Sequence, residues 1–196
     1  MKLVLASQSP RRQELLRQIA AEFVIDPSEF DEETCFGATP AQFAERCAQH
    51  KAGTVARRRR GADEVVLGAD TIVVLAGEIF GKPRDAADAG RMLRALSGRT
   101  HQVISGIAVV APDGKLSSTA VSSDVEFKEL SGADIDWYIA SGEPMDKAGA
   151  YAIQGLAKKF IAGYRGDYDN IVGLPVAATR ALLQAAGVTC RATGDN

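Results

Sequence analysis

The sequence predicts an α/β protein with a mixed sheet, in which helices pack on strands of both relative directions. Segments with strand-like and helical patterns alternate along the 196 residues, and this alternation is typical of the class. Two β-rich segments, residues 102–110 and 117–127, flank the turn sequence PDG at residues 112–114 and predict a long hairpin. Because a hairpin pairs its strands antiparallel, a mixed sheet is favoured over a purely parallel one.

The first elements are a short strand and two helices. Residues 3–5 are apolar and predict the strand. Ser9 and Pro10 then predict a helix start, because a serine hydroxyl caps a free backbone amide and proline has no N–H to lose. A second helix is predicted over residues 39–60, since it opens with the capping box TPAQ and is followed by Gly61 as a stop.

The remaining elements follow from similar patterns. Two apolar segments, residues 64–67 and 71–75, predict buried strands on either side of a turn at GAD, residues 68–70. Helices are further predicted at residues 86–96, 131–140 and 174–186, and weaker strand patterns occur at residues 150–153 and 159–161.

Charge and hydropathy narrow the class of protein. The net charge is −2, which gives no general attraction to nucleic acid or to an anionic membrane. The one basic run, RRRR at residues 57–60, is interpreted as a solvated helix end, because no aromatic residues are interleaved with it. The apolar residues 3–6 are too few for a signal peptide, and no stretch reaches transmembrane length. We therefore expect a soluble, cytoplasmic protein.

Cysteine and histidine usage argues against several kinds of site. Cys35, Cys47 and Cys190 have no CxxC or CxxH spacing, so reduced thiols are expected and a structural zinc is not. The sequence has no GxxxxGK[ST], GxSxG or HExxH motif. With His50 and His101 as the two histidines, both interpreted as structural, Ser/His/Asp catalysis is not expected.

Two arginines at the start of the first helix point to a bound anion. Arg11 and Arg12 lie in the first turn, where the positive end of the helix dipole disfavours cations. A phosphate would compensate both charges, and the free amides of a helix N-terminus bind such anions.

Asp70 is the carboxylate most suited to chemistry. It lies between two apolar segments, and a carboxylate near a core needs a partner or a metal. Oxygen ligands of this kind suit Mg²⁺, which takes one or two carboxylates plus phosphate oxygens. The acidic run at residues 31–33 and Lys82, on the loop GKP, add further charged groups. Cationic side chains can bind phosphate groups and carboxylates can bind a metal ion, so this combination favours nucleotide hydrolysis as the function.

These clusters resemble the Maf family of nucleoside triphosphate pyrophosphatases. The matching motifs, in the family's order, are LASxSPRR (residues 5–12), an acidic pair (31–32), AxxKA (48–52), GADTIV (68–73), GKP (81–83), LSGxTHxV (96–103), EPxDKAGAYxIQG (143–155) and NxVGLP (170–175). The resemblance implies an elongated mixed sheet in two lobes, related to the inosine triphosphate pyrophosphatases, with an active-site cleft. It also implies that residues 1–196 form one Maf-like domain.

The resemblance further implies a reaction and its residues. A nucleoside triphosphate is cleaved to a monophosphate and pyrophosphate with a divalent cation, Mg²⁺ or Mn²⁺. Asp70, as proton acceptor, and Lys82 match catalytic positions, while Glu32 and Asp70 match metal ligands. The positions that match substrate-binding residues are Ser7, Arg11, Arg12, Lys51, Thr71 and Gln154.

Three of these positions separate two branches of the family. The branch acting on 7-methyl-GTP has tryptophan, glutamine and an acid where this chain has Arg11, Thr71 and Gln154. Tryptophan suits a cationic methylated purine, whereas glutamine offers the donor and acceptor that a pyrimidine edge requires. The resemblance therefore implies dTTP and UTP as substrates.

Two alternatives stay open at this point. The chemistry could act on 7-methyl-GTP or another modified nucleotide, or the chain could be a nucleotide-binding regulator of cell division or septum formation. The sequence does not determine the oligomeric state, so a homodimer also stays open.

Overall fold

The computed structural model describes residues 1–29, 35, 37, 39–59 and 63–192, and it confirms the predicted mixed α/β class. The strands are β1 (Lys2–Leu5), β2 (Val24–Ile25), β3 (Glu64–Leu75), β4 (Glu78–Phe80), β5 (Thr100–Val110), β6 (Leu116–Phe127) and β7 (Ile161–Arg165). The α-helices are α1 (Pro10–Arg17), α2 (Pro40–Arg59), α3 (Ala86–Leu96), α4 (Gly132–Ala140), α5 (Tyr168–Val172) and α6 (Val176–Ala185). Short 3₁₀ helices lie at Glu143–Asp146, Ala148–Ala150 and Leu156–Phe160.

The strands form one seven-stranded mixed sheet. Its order is β2-β1-β3-β5-β6-β7, with β4 paired to β3. The strand β1 runs parallel to both β2 and β3, whereas β3, β5, β6 and β7 pair antiparallel in sequence along the sheet. The predicted long hairpin is confirmed as β5 and β6.

Two strands share one edge of β3 and end towards each other. The strand β1 pairs with β3 up to Leu67, and β4 pairs with β3 from Leu75 back to Val73. Because β1 is parallel to β3 and β4 is antiparallel to it, both carboxyl ends point at the stretch between them. Asp70 lies in this stretch, so the chain after β1 and the chain after β4 approach the same carboxylate.

Helix α2 covers one face of the sheet and most other helices cover the opposite face. Alternate residues of β3 divide between these faces, because successive side chains in a strand point to opposite sides. Val66, Ile72 and Val74 lie in the clusters that contain α2 residues, and Val65 and Leu67 lie in the main core with residues of α1, α3, α4 and α6. Since both faces are covered, β3 is buried along almost its whole length.

Two glycines let α2 approach the sheet closely. A Cβ at Gly68 would lie 2.3 Å from the carbonyl oxygen of Ala48, and one at Gly106 would lie 2.2 Å from that of Ala44. Real Cβ atoms do not approach a backbone oxygen so closely, so only glycine fits at these positions. The close approach corrects the prediction of a turn at residues 68–70. Gly68 accommodates a helix backbone, and β3 runs through this segment without a break.

Local signals predicted most helix starts correctly. Ser9 and Ser131 cap α1 and α4, and the hydroxyl of Thr39 accepts a hydrogen bond from the amide of Gln42 at the start of α2. The strand predicted at residues 150–153 is wrong, because Ala150 ends a 3₁₀ helix and the described chain forms no strand there. The division of the chain into two lobes stays a prediction.

The cysteine expectation is wrong for one pair. Cys35 and Cys47 form a disulfide, with Cα atoms 5.9 Å apart, and Cys190 carries a free thiol. Sequence spacing alone does not show which cysteines come within bonding distance of each other.

The basic end of α2 lies at the surface, as predicted, and two of its arginines are also ion-paired. Arg58 and Arg59 both contact Asp26, and Arg59 also contacts Glu64 through two hydrogen bonds of 2.7 and 2.8 Å. Hydrogen bonding to Arg59 lowers the pKa of Glu64. Residues 60–62 lie outside the described part of the chain.

None of the helices in the described residues is both long enough and apolar enough to cross a bilayer.

Candidate active site

A cleft of about 1070 Å³ opens where the ends of β1 and β4 converge on β3. Its walls come from the chain after β1, the start of α1, the middle of β3, the loop after β4 and the 3₁₀ segment that follows α4. The predicted site residues in its lining are Ser7, Arg11, Arg12, Lys51, Asp70, Thr71, Lys82 and Gln154. The structure thus brings eight of the nine predicted site residues together, and their roles stay predictions.

A buried ion pair lies at the floor of the cleft. Lys51 Nζ donates a hydrogen bond of 2.7 Å to Asp70 Oδ1, and the two side chains are 10% and 5% exposed. The close packing of α2 at Gly68 and Gly106 sets the height of Lys51 above the sheet. Each charge compensates the other in a place where an unpaired charge would be strongly destabilising.

Arg12 is held in a fixed orientation beside this pair. Its Nε donates to the carbonyl oxygen of Gly173 at 2.9 Å, and its Nη1 and Nη2 donate to the hydroxyls of Ser7 and Thr71 at 3.2 and 3.0 Å. The cap of α1 contributes as well, because the Arg12 amide donates to Ser9 Oγ. A guanidinium fixed at three nitrogens presents a defined plane to an anion in the cleft.

The opposite wall supplies further charged groups. Lys82 follows Gly81, whose carbonyl oxygen accepts a hydrogen bond of 3.0 Å from the amide of Gly149. Lys147, 11% exposed at its side chain, donates to Asp146 and to the backbone carbonyl of Glu143. Partial burial acts to raise the pKa of Asp146, but its hydrogen bond to Lys147 and the nearby charge of Arg11 lower it overall.

Positive charge is concentrated in the cleft. Its described lining contains five cationic side chains and two carboxylates, although the whole chain has a net charge of −2. The cations are Arg11, Arg12, Lys51, Lys82 and Lys147, and the carboxylates are Asp70 and Asp146. A cleft of this composition attracts a polyanion such as a triphosphate.

The loop that carries Gln154 is held in place by hydrogen bonds to Glu143. The amide of Leu156 donates to both carboxylate oxygens of Glu143, at 3.1 and 3.2 Å, and the hydroxyl of Tyr138 donates to Oε1 at 3.0 Å. Gly155 precedes this amide with φ at +86°, and a Cβ there would lie 2.8 Å from Glu143 Oε1, so only glycine fits. Gln154 therefore stands on a braced turn at the rim of the cleft.

The predicted metal site is only partly covered by the structure. Glu32 lies outside the described residues. Within the described ranges, no group of three or more His, Cys, Asp or Glu side chains could hold a metal ion. Asp70 nevertheless offers a hard oxygen donor in a cleft lined by cationic side chains, which fits a cation that takes few protein ligands and shares phosphate oxygens.

Sequence reasoning missed several residues around the cleft. Lys147 lies in a motif that carries the resemblance, but no role was predicted for it. Ser105 and Asn170 are both fully buried and connect through hydrogen bonds to Thr71 and to each other. The motif around Asn170 was visible in the sequence, whereas Ser105 had no signal of its own.

Known proteins are similar to this chain over almost its whole length. A family described as Maf-like protein matches residues 2–186. A dTTP/UTP pyrophosphatase of Symbiobacterium thermophilum is 51% identical over 95% of this chain and 94% of its own. A dTTP/UTP pyrophosphatase of Anaeromyxobacter dehalogenans is 50% identical, again over 95% of this chain and 94% of its own.

A solved structure supports the same fold. The Ham1 protein of Staphylococcus aureus superposes with a TM-score of 0.56 and 18% identity, covering 94% of this chain and 99% of that one. At this identity the likeness concerns the fold alone. The match of the family over nearly the whole chain, together with relatives at half identity, shows that the chain belongs to the Maf family.

Proposed function

We propose that this protein is a metal-dependent pyrophosphatase that hydrolyses dTTP and UTP to the monophosphate and pyrophosphate. Relatives at about half identity over 95% of the chain carry the name dTTP/UTP pyrophosphatase. The observation that carries the proposal is the buried carboxylate of Asp70 at the floor of a cleft lined by five cations. A proton acceptor surrounded by phosphate-binding groups is what hydrolysis of a phosphoric anhydride needs.

The proposed reaction breaks the anhydride bond between the α- and β-phosphates. The oxygen of a water molecule attacks phosphorus, Asp70 accepts the proton that this water loses, and pyrophosphate leaves with the bonding electron pair. Arg12 and Lys82 compensate the charge that develops on the phosphate oxygens. Lys51 holds the Asp70 carboxylate in place through the 2.7 Å hydrogen bond.

A divalent cation, Mg²⁺ or Mn²⁺, would be held by Asp70 together with Glu32. When bound, such a cation neutralises phosphate charge and polarises water. The donor set supports this choice, because carboxylate oxygens suit hard cations and the cleft offers no thiolate or imidazole in its described lining.

The base is proposed to lie at the rim formed by Arg11, Thr71 and Gln154. The braced turn under Gln154 supports this assignment, since a fixed amide can present one donor and one acceptor to a pyrimidine edge. Arg11 lies close enough to Asp146 to lower the pKa of that carboxyl, which brings the start of α1 and the 3₁₀ segment to the same end of the cleft.

We further propose that the protein acts in the cytoplasm on a free nucleoside triphosphate, without binding nucleic acid or membrane. The engagement of Arg58 and Arg59 by Asp26 and Glu64 supports this, because two cations of the only basic run already have carboxylate partners.

The test is a pyrophosphate-release screen over canonical and modified triphosphates, with products separated by chromatography. We expect pyrophosphate and the monophosphate to appear together from dTTP and UTP, to stop in EDTA and to return with Mg²⁺ or Mn²⁺. Release of orthophosphate and a diphosphate would contradict the proposed bond cleavage, and preference for 7-methyl-GTP would contradict the pyrimidine assignment.

The role of Asp70 is tested by Asp70→Asn, which keeps a hydrogen-bond acceptor for Lys51. Turnover should fall about 10²- to 10⁴-fold with the fold retained, which is the usual contribution of a general base. Asp136→Asn, the same change at an exposed position on α4, is the control and should leave turnover unchanged. Wild-type turnover in Asp70→Asn would remove Asp70 from this role.

A further inference from the structure

A chain of hydroxyl groups connects Arg12 to the interior of the sheet. Arg12 Nη2 lies 3.0 Å from Thr71 Oγ1, which lies 2.9 Å from Ser105 Oγ. Ser105 Oγ in turn lies 3.1 Å from the backbone carbonyl oxygen of Asn170. Ser105 is fully buried and does not line the cleft, and its hydroxyl is connected to the cleft through Thr71.

The direction of each hydrogen bond in this chain follows from its two ends. A guanidinium only donates, so Thr71 accepts from Arg12, and a carbonyl only accepts, so Ser105 donates to Asn170. The single proton of Ser105 is thereby used, so Thr71 donates to Ser105 at 2.9 Å in preference to the more distant Gly173 carbonyl oxygen at 3.3 Å. The order is therefore Arg12 to Thr71 to Ser105 to Asn170, with every hydroxyl giving one hydrogen bond and receiving one.

The far end of the chain is rigid. Asn170 is fully buried, and its Nδ2 donates to the carbonyl oxygen of Val103 at 3.0 Å and to Ser123 Oγ at 2.9 Å. Its Oδ1 accepts from the amide of Ser105 at 3.1 Å. The two bonds to β5, from the Ser105 amide and to the Val103 carbonyl, are sufficient to fix Asn170, so the carbonyl that accepts from Ser105 has a defined position. The bond to Ser123 adds a contact with β6.

Helix α5 also positions Arg12 through the residue that follows the helix. Gly173 follows α5 directly, and its carbonyl oxygen accepts from Arg12 Nε at 2.9 Å. It also lies 3.3 Å from Thr71 Oγ1, as a longer alternative acceptor for that hydroxyl proton. Without the Ser105 oxygen, the Thr71 proton has only Gly173 as acceptor among these contacts. The proton then points to Gly173, and the lone pairs of Thr71 Oγ1, one of which accepts from Arg12, change direction with it.

We infer that Ser105 is a positioning residue that sets the orientation of the Arg12 guanidinium towards phosphate through Thr71. The inference rests on the proposed function only for the identity of the nucleotide. The inference predicts that the buried hydroxyl of Ser105 contributes to the affinity of the cleft for a polyphosphate, although it cannot contact the substrate.

The test measures the dissociation constant of inorganic tripolyphosphate by titration calorimetry, so that it does not depend on turnover. Ser105→Ala should weaken binding about 5- to 20-fold, the effect of disturbing one hydrogen bond to a charged group. Ser123→Ala is the matched control, because it deletes a hydroxyl that is equally buried and also contacts Asn170, but lies outside the chain to Arg12. The Ser123→Ala variant should change the dissociation constant of tripolyphosphate less than about twofold, because no hydrogen bond in the chain to Arg12 is lost.

A double-variant cycle separates positioning from general loosening. In an Arg12→Lys background the guanidinium is gone, so adding Ser105→Ala should change the tripolyphosphate affinity less than about twofold. Unfolding by urea shows whether each variant folds, and Ser105→Cys, which keeps the volume and a weak donor, replaces Ser105→Ala if that variant does not fold.

Several results would overturn the inference. These are wild-type affinity in Ser105→Ala, an equal loss in Ser123→Ala, an undiminished effect in the Arg12→Lys background, or no binding of tripolyphosphate by the wild type. If the wild type binds tripolyphosphate in a Ser105-dependent way but does not hydrolyse dTTP or UTP, the proposed function fails and the inference stands.

Discussion

Lys51 Nζ of helix α2 lies 2.7 Å from Asp70 Oδ1 of strand β3, and the two side chains are 10% and 5% exposed. The two residues form a charge pair that is shielded from bulk solvent while it lines a cleft. In such a place each charge depends on the other, so the two positions are coupled both in stability and in activity.

The first prediction concerns this coupling. Lys51→Met removes the cation and leaves a carboxylate without its partner, so the free energy of unfolding should fall by about 3 kcal/mol. The double variant Lys51→Met/Asp70→Asn should recover part of that loss, because the uncompensated charge is gone. Urea titration of the wild type, both single variants and the double variant measures the coupling. Strictly additive losses would show that the pair is not coupled.

The second prediction concerns the packing of α2. Gly106→Ala places a Cβ 2.2 Å from the carbonyl oxygen of Ala44, so the helix must move away from the sheet. We expect a loss of stability of about 1–3 kcal/mol and a lower kcat/KM, since Lys51 moves with the helix. Gly163→Ala in β7 is the control, because a Cβ there meets nothing within 4 Å. Equal activity in the two variants would contradict the link between packing and the site.

The third prediction concerns pH. His101 is 2% exposed and its Nε2 contacts the Tyr151 hydroxyl at 2.7 Å, while burial lowers its pKa from 6.5 to about 4. The folded protein therefore keeps the imidazole neutral, and the unfolded chain takes up a proton below pH 6.5. The stability that this residue contributes is present above pH 6.5 and is lost as the pH falls towards 4, by about 3 kcal/mol in total.

Urea titrations between pH 4 and 7 test this. The drop in free energy of unfolding should be smaller in His101→Gln than in the wild type, and His50→Gln, the same change at an exposed histidine, is the control. Because several carboxyl groups such as Asp88 also have lowered pKa values, the relevant quantity is the difference between variants. Identical slopes in all three proteins would be evidence against a buried neutral imidazole.

The fourth prediction concerns base selection. Gln154→Glu replaces an amide donor by a negative charge, which leaves an acceptor on the pyrimidine unpaired and repels the triphosphate. The kcat/KM for dTTP should fall about 5- to 150-fold, corresponding to one unsatisfied buried hydrogen bond. Adding Arg11→Trp should shift preference towards 7-methyl-GTP through stacking on a cationic base. Unchanged ratios among dTTP, UTP and 7-methyl-GTP would place base selection elsewhere.

Local signals allowed much of the fold to be predicted. Helix starts at Ser9 and Ser131 depend on a few neighbouring residues, and the α3 boundaries at Ala86–Leu96 were predicted without error. The turn sequence between β5 and β6 is another local signal, and it predicted the hairpin and therefore the mixed sheet. The short strand β2 was not predicted, because two exposed residues at a sheet edge have little pattern of their own.

Features that depend on contacts distant in sequence were not predictable. Gly68 looked like a turn residue, but its role is to admit the backbone of α2, which requires knowledge of the packing. The same applies to the pairing of Cys35 with Cys47 and to the hydrogen bonds that connect Ser105 with Thr71. The resemblance to a family named Lys51 and Asp70 among the predicted site residues, but it did not show that the two side chains are in contact.

The way in which β1 and β4 share an edge of β3 has a thermodynamic consequence. The two strands pair with different parts of β3, so the segments that carry Ser7 and Lys82 are anchored separately. A ligand that contacts both segments would join them, and whatever binds the joined arrangement stabilises it by mass action. Nucleotide binding in the cleft would therefore also make this edge of the sheet more rigid. The nucleotide would act as a non-covalent cross-link between the two segments.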